Sequence, residues 1–227
     1  MEQITPFFEK KSDCMFCGSS FHSMKLRSKF IKILSYDTDF RPIYSDIGIN
    51  PLLYKILVCP HCGFSFSEEF STSFPPLTKD VIREKVTSRW VPHQYGGNRT
   101  ISDAIKTYKL ASYCALLKKE KHITSAGLFL RIAWLYRETQ PEHEPRFLAL
   151  AQKEYEQSYS SADFRGTQVS EIKLLYIIGE ISRRIGDFSN AARHLSMVIE
   201  KQKHTTETKI VEMAKDQWQQ IRQLKAN

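Results

Sequence analysis

Two stretches of the chain, Cys14-Met15-Phe16-Cys17-Gly18 and Cys59-Pro60-His61-Cys62-Gly63, share the pattern C-x-x-C-G. A tight turn, or knuckle, places the two sulfurs of this pattern on one side of the backbone, and the glycine accepts the positive φ with which the chain leaves the turn. Two knuckles supply four thiolates, the ligand set of a tetrahedral Zn²⁺ with zinc–sulfur distances of about 2.3 Å. The sequence therefore predicts one zinc ion bound by Cys14, Cys17, Cys59 and Cys62.

A C-x-x-C pair is also the motif of dithiol redox proteins, so a redox or disulfide role is the alternative. That motif usually occurs once in a chain, whereas here two copies flank a segment of 41 residues. Four cysteines also leave no coordination position open for a catalytic water, which indicates a structural ion. His22 and His61 are metal ligands by type, but we expect neither to bind the ion and we expect His61 to point outward.

The segments beside the knuckles have the composition of short strands. Residues 24–36 mix apolar and basic residues, residues 52–58 are mostly apolar, and Phe64 and Phe66 alternate with serines. The stretch Asp37-Thr38-Asp39-Phe40-Arg41-Pro42 is typical of a turn in which aspartate side chains bond nearby amides, although paired aspartates also occur in metal and acid/base sites. Strand, knuckle and strand is the plan of a zinc ribbon, so we predict a zinc-ribbon-like β module over residues 1–74.

Beyond Phe74-Pro75-Pro76 the apolar period changes from two residues to 3.6. We predict a first helix with Thr78 as its N-cap and a second helix from Ile101. Further helices are predicted near 124–139, 147–160, 168–185, 188–203 and 206–225. Proline and glycine separate these segments, which favours antiparallel helices joined by short loops. The predicted fold class is α+β, with an all-α domain over residues 75–227 after the β module.

The helices carry the spacing of a tetratricopeptide (TPR) repeat. In this pattern, each of the two helices of a repeat has one position that requires a small residue. Gly179 occupies that position in the first helix, and Ala191 occupies it in the second helix. Gly186-Asp187 forms the turn between the two helices. Ala133 and Ala151 mark an earlier copy. Small residues are needed there because the two helices of a repeat pack closely. A generic bundle with coincidental alanines is the alternative; in a TPR-like stack, helix 206–225 would be the cap.

The formal charge of +8 is concentrated in the middle of the chain. Residues 74–125 hold ten Lys and Arg against four Asp and Glu, a net of +6, whereas residues 1–73 hold eight of each kind. A zinc ribbon that binds nucleic acid would itself carry the positive charge. RNA or DNA binding by the basic 79–121 segment is therefore the alternative function, and a solvated helix face is the simpler explanation. Its candidate residues are Arg83, Lys85, Arg89, Trp90 and Arg99.

We find no phosphate-binding glycine loop, no H-E-x-x-H and no recognisable Ser/His/Asp arrangement, so we expect a non-enzymatic protein. The first residues lack the basic and apolar runs of a signal peptide, and no apolar run approaches membrane-spanning length. We expect a cytoplasmic location without a membrane partner, where cysteines stay reduced. The fifth cysteine, Cys114, lies among apolar residues and is predicted to be buried and unreactive.

The predicted function is a zinc-binding scaffold or adaptor whose helical groove binds a protein or peptide. Arg137 and Arg183 occupy equivalent positions in the two repeat copies, and guanidinium groups bind carboxylates with two hydrogen bonds. The predicted partner segment is therefore acidic or ends in a free carboxylate. The alternative is that these arginines pair with Glu138 and Glu180 inside the stack. The predicted partner-binding residues are Leu130, Trp134, Arg137, Tyr176, Glu180 and Arg183.

The two knuckles, Tyr36-Asp37-Thr38-Asp39-Phe40, and Ala133-Trp134-Leu135-Tyr136-Arg137 together resemble one protein family. Over nearly its whole length the chain is similar to the bacterial domain-of-unknown-function 2225 family. The resemblance implies a cytoplasmic bacterial protein with a zinc-ribbon-like front and TPR-like helices behind it. It implies no known activity.

Overall fold

The computed structural model describes residues 4–45 and 48–226, with short strands in the first third of the chain and helices beyond. The strands are β1 (Phe7–Asp13), β2 (Ser20–Leu26), β3 (Ile33–Tyr36), β4 (Pro42–Tyr44), β5 (Leu57–Val58) and β6 (Ser65–Phe66). The helices are α1 (Thr78–Lys85), α2 (Ile101–Lys118), α3 (His122–Thr139), α4 (Glu144–Ser161), α5 (Glu171–Arg184), α6 (Phe188–Glu200) and α7 (Thr208–Ala226). The described strands pair as β1–β2, β3–β4 and β5–β6. The predicted α+β class is confirmed.

Each knuckle connects two antiparallel strands, as expected of a zinc ribbon. β1 pairs with β2 from Phe7 opposite Leu26 to Asp13 opposite Ser20, and β5 pairs with β6 across the second knuckle. The sequence did not indicate β1, because charged residues interrupt its alternation of apolar and polar positions. The strand predicted at 52–58 is reduced to β5, because residues 51–54 form a 3₁₀ turn capped by the side chain of Asn50.

All the predicted helices are present, with bounds that differ by at most three residues. Thr78 is the first residue of α1 and not its N-cap; the residue before it, Leu77, has a φ of 67°, and the Thr78 hydroxyl donates to the Pro75 carbonyl. α2 begins with a capping box in which Thr100 and Asp103 each accept the amide hydrogen of the other. Among the described residues, no helix is both long and apolar enough to cross a membrane.

The chain divides into two compact units. The first contains residues 1–35, 42–120 and 134–139, and the second contains residues 36–41, 121–133 and 140–227. α1 and α2 thus belong with the strands, although the change in composition had placed a boundary after residue 74.

The position of α2 explains this difference. Its Tyr108 hydroxyl donates to the carbonyl of Leu52, and its Cys114 sulfur accepts from the amide of Ser65 in β6. Tyr108 and Cys114 are both almost completely buried, at 0% and 1% exposure. α2 therefore completes the core of the ribbon, and the change from strands to helices at residue 75 is not the edge of the unit.

The second unit is built on a hairpin of α5 and α6. Gly186 leaves α5 with a φ of 84°, and the amide of Asp187 donates back to the carbonyl of Ser182. Asp187 then caps α6 by accepting from the amide of Asn190. The two helices approach closely at Gly179, where an added Cβ would lie 2.9 Å from the Leu195 side chain. The predicted need for a small residue at this position is confirmed.

α7 packs against this hairpin. Its Val211, Ala214 and Ile221 belong to one buried cluster with Leu175 of α5 and Leu195 of α6. α7 therefore buries one apolar face against α5 and α6.

Candidate functional site

The two knuckles have the same backbone geometry. In each, the glycine amide donates to the carbonyl of the first cysteine, from Gly18 to Cys14 at 2.8 Å and from Gly63 to Cys59 at 2.9 Å. Gly18 and Gly63 have φ values of 78° and 73°. Residues with a Cβ seldom adopt this left-handed region, so the glycine of the C-x-x-C-G pattern is required by the turn.

The four knuckle sulfurs lie within 4.8 Å of one another. Cys14 Sγ is 3.7 Å from Cys62 Sγ, and Cys17 Sγ is 3.7 Å from Cys59 Sγ. A tetrahedral ion with bonds of about 2.3 Å separates its sulfurs by about 3.8 Å, so the arrangement fits a metal ion. All four are free thiols, and Cys17 is the exposed member of the group.

Backbone amides around the sulfurs favour thiolates. The amides of Phe16 and Cys17 donate to Cys14, and the corresponding amides of the second knuckle donate to Cys59. A hydrogen bond from the Cys62 thiol lowers the pKa of Cys14 to about 5. Burial raises the pKa of Cys59 to about 11, and the proton shared with Cys14 raises the pKa of Cys62. A divalent cation among these sulfurs would favour all four thiolates, because its charge offsets their repulsion.

Aromatic side chains pack beside the knuckles. The rings of Phe16 and Phe74 lie 5.5 and 5.8 Å from the ring of Phe64. The Trp90 indole N–H donates to the Pro60 carbonyl at 2.8 Å, and its ring lies 2.5 Å from where a Cβ on Gly63 would be. Trp90 therefore holds the second knuckle in place, a role that the sequence analysis missed.

The two nearby histidines are exposed, and the remaining cysteine is buried. His22 and His61 are exposed and lie outside the group of four sulfurs. Together with Glu9 they line an open surface cavity of 360 Å³. Cys114 is buried, and burial raises its pKa to about 12.

The predicted partner-binding residues lie on two helices, α3 and α5. The arginines at 137 and 183 are half-buried, and the other four side chains are buried. In the second unit, the chain's own residues 36–41 pack on α5. The α3 residues are Leu130, Trp134 and Arg137, and the α5 residues are Tyr176, Glu180 and Arg183. Their role in binding a partner stays a prediction.

The segment on α5 is the acidic turn Asp37-Thr38-Asp39-Phe40. The Tyr176 hydroxyl donates to the Thr38 carbonyl at 2.8 Å. The Phe40 ring packs on the Tyr176 ring with centroids 5.2 Å apart, and the Lys173 ammonium lies 5.0 Å from the Phe40 centroid. Within the turn, the Asp37 carboxylate accepts the Thr38 amide at 2.7 Å, as its sequence predicts.

A buried ionic network joins this turn to the helix. Glu180 has 0% exposure and accepts two hydrogen bonds of 2.8 Å from Arg183, which raises the pKa of that arginine. Arg184 donates to Glu180, to the Asp37 carboxylate and to the Thr38 hydroxyl, each at 2.7 Å. The Thr38 hydroxyl donates to Glu180. The pairing of Arg183 with Glu180 is the alternative that the sequence left open.

Two of the five candidate residues for nucleic-acid binding serve the fold. Arg99 is 6% exposed, donates to the carbonyls of Leu53, Ile56 and Tyr95, and has its pKa lowered to about 10 by burial. The other is Trp90, described above. The remaining three candidates, Arg83, Lys85 and Arg89, are exposed.

The chain is similar in sequence to other bacterial proteins. An uncharacterized protein of Borreliella burgdorferi (strain ATCC 35210 / DSM 4680 / CIP 102532 / B31) is 27% identical over 159 residues, which cover 63% of this chain and 57% of that relative. No solved structure matches the chain significantly. The family described as uncharacterized proteins conserved in bacteria, DUF2225, matches residues 7–221. Because that match includes both knuckles, the acidic turn and nearly all of the described helices, the chain belongs to the DUF2225 family.

Proposed function

We propose that the protein is an adaptor that contains one structural zinc ion and acts by binding a protein partner rather than by catalysis. The arrangement of the four sulfurs supports the metal, because all-cysteine sets without an open position are typical of structural zinc. The ion would join the β1–β2 and β5–β6 hairpins, since each hairpin carries one knuckle.

Metal analysis tests the zinc. The purified protein is expected to contain about one zinc per chain. The Cys59→Ser variant is expected to lose the metal and to unfold the first unit, because binding of structural zinc contributes about 10–16 kcal/mol to folding in zinc-finger peptides. Cys114→Ser is the matched control, since Cys114 is a buried cysteine outside the cluster. Full zinc content in Cys59→Ser, or none in the wild type, refutes the site.

The adaptor role is supported by the surface of α5. This helix already holds a peptide segment through the Tyr176 hydroxyl and ring, the Glu180 carboxylate and the Arg184 guanidinium group. Polar groups directed at a main-chain carbonyl and at carboxylates suit a protein or peptide partner with acidic residues. We place this adaptor in the bacterial cytoplasm, where free cysteines persist.

A comparison of baits tests the adaptor role. Wild-type protein and the Arg137→Ala/Arg183→Ala variant are used to recover partners from a bacterial lysate, after circular dichroism has shown equal helicity. A variant with Arg146→Ala and Arg193→Ala removes the same charge from exposed positions and is the control. We expect the first variant alone to lose partners. Equal recovery of every protein by all three baits refutes this role of the helical surface.

Nucleic-acid binding by the basic segment is the second candidate, supported by the exposed Arg83, Lys85 and Arg89. Three phosphate contacts predict an affinity that falls about 40-fold between about 50 and 200 mM salt. Fluorescence anisotropy of labelled RNA and DNA measures this dependence. We favour the adaptor, because Trp90 and Arg99 have structural partners inside the first unit.

A further inference from the structure

We propose that α5 carries a binding site for acidic, threonine-containing turns that end in an aromatic residue, and that a partner protein with such a turn binds there by displacing residues 37–40 of this chain. The inference rests on the adaptor function proposed above and names its site and the chemistry of its ligand. The site consists of Lys173, Tyr176, Glu180, Arg183 and Arg184, all on one helix.

Four side chains of the site contact the turn, and Arg183 donates two hydrogen bonds to one of them, Glu180. Tyr176 binds the main-chain carbonyl of Thr38, and Glu180 accepts the Thr38 hydroxyl hydrogen. Arg184 binds both the Asp37 carboxylate and the Thr38 hydroxyl oxygen, and Lys173 lies over the Phe40 ring. All these ligand groups belong to four consecutive residues, so a short peptide with the same sequence contains everything that the site contacts.

The charges of the site and the turn are complementary. Three cationic side chains and one carboxylate give the site a net charge of +2, and the turn contributes two aspartates with a net charge of −2. Glu180 and Asp39 are both fully buried, at 0% exposure. A neutral or basic turn would remove the Asp37 carboxylate from Arg184 and leave Glu180 as the carboxylate bound at 2.7 Å, which disfavours other sequences. The site is therefore selective for acidic turns.

The turn of this chain is held in a conformation that its sequence disfavours. Phe40 has a φ of 66°, in the left-handed region that residues with an L-configured Cβ avoid. A partner that offers the same groups without this strain would compete with the tethered segment.

The experiment measures binding of a fluorescent peptide with the sequence of residues 35–42 to the full chain. Substituting Asp37→Ser, Thr38→Gly and Phe40→Ser removes the Asp37 carboxylate, the Thr38 hydroxyl and the Phe40 ring from the competing segment and leaves its main chain and Asp39 in place. We expect saturable binding to this released variant and at least about tenfold weaker binding to the wild type, because the tethered segment competes at an effective concentration of about millimolar. A peptide with both aspartates changed to asparagine should not bind.

Two further substitutions in the released variant locate the site. Arg184→Ala should weaken peptide binding at least about tenfold, whereas Arg193→Ala, an exposed arginine on the neighbouring helix, should not. If the released variant loses helicity, the milder pair Asp37→Asn and Thr38→Val replaces it, since this pair leaves Phe40 on Tyr176.

The proposal is overturned if neither variant binds the peptide, or if the wild type binds it as tightly as the released variant does. A wild-type dimer that becomes monomeric on release would also overturn it, because the turn would then be exchanged between two copies. If lysate partners depend on Arg183 while the peptide does not bind, the adaptor function survives and this site assignment fails.

Discussion

Replacing Gly63 by alanine tests how Trp90 holds the second knuckle. The backbone at Gly63 has a φ of 73°, which costs an alanine about 1 kcal/mol. The new Cβ would lie 2.5 Å from two atoms of the Trp90 ring, so the indole must move. Overpacking of this kind costs about 1–3 kcal/mol, and loss of the indole hydrogen bond to Pro60 costs about 1 kcal/mol more. The expected total is about 3–5 kcal/mol.

Two other glycines of the first unit separate these contributions. Gly18 has a φ of 78° but nothing within 4 Å of an added Cβ, so Gly18→Ala is expected to cost about 1 kcal/mol. Gly97 has neither a positive φ nor a neighbour within 4 Å, so Gly97→Ala is expected to change stability by less than about 0.5 kcal/mol.

Urea unfolding of the metal-loaded variants measures these free energies, and a colorimetric chelator measures the rate of metal release. We expect metal release to be fastest in Gly63→Ala, because the displaced indole no longer covers Pro60. Equal costs for Gly63→Ala and Gly18→Ala would refute the role of Trp90 and leave only the backbone requirement that the two knuckles share.

Two predictions concern single buried groups. Cys114 is expected to react with thiol reagents at least about 100-fold slower than an exposed cysteine at neutral pH, because burial raises its pKa to about 12; rapid labelling of the native, metal-loaded chain, located by peptide mass mapping, would contradict this. His194 is 4% exposed, and burial lowers its pKa below the ordinary value of about 6.5. Near and below that pH the unfolded chain binds more protons than the folded chain does, so the free energy of unfolding falls as the pH falls. The free energy of unfolding should therefore drop more between about pH 7.5 and 5.5 in the wild type than in His194→Gln, and equal drops would exclude the contribution of this histidine.

The metal centre and the helices were predictable because their signals are local. A cysteine pair and the glycine after it define a knuckle within five residues, and only the meeting of the two knuckles depends on the rest of the unit. The helices follow from apolar periodicity, and the turn at Gly186-Asp187 is specified by the positive φ of one residue and the capping oxygen of the next. The strand β1 was missed because its charged residues weaken its apolar alternation.

The occupied surface of α5 could not be predicted in the same way. The contact between Thr38 and Glu180 joins residues 142 positions apart, and no local pattern specifies such a pairing. Signals were nevertheless present: a turn with two aspartates in the front of the chain and two adjacent arginines in α5. The pairing of Arg183 with Glu180 was considered from the sequence, whereas the contact of Arg184 with Asp37 and Thr38 was not.

The sequence separation of this contact has a consequence for synthesis on the ribosome. The acidic turn leaves the ribosome 142 residues ahead of the glutamate that accepts its threonine hydroxyl. At roughly 5–20 residues per second, this interval lasts about 7–28 s. Both knuckles can emerge and collect metal within that time, whereas Asp37 and Asp39 stay without Arg184 until α5 appears. Codon changes or pauses between residues 66 and 171 would delay the contact of the acidic turn with α5, because α5 would be synthesised later. They would not delay assembly of the cysteine cluster, since both knuckles precede this interval. Formation of the acidic-turn contact is therefore the step that depends on translation speed.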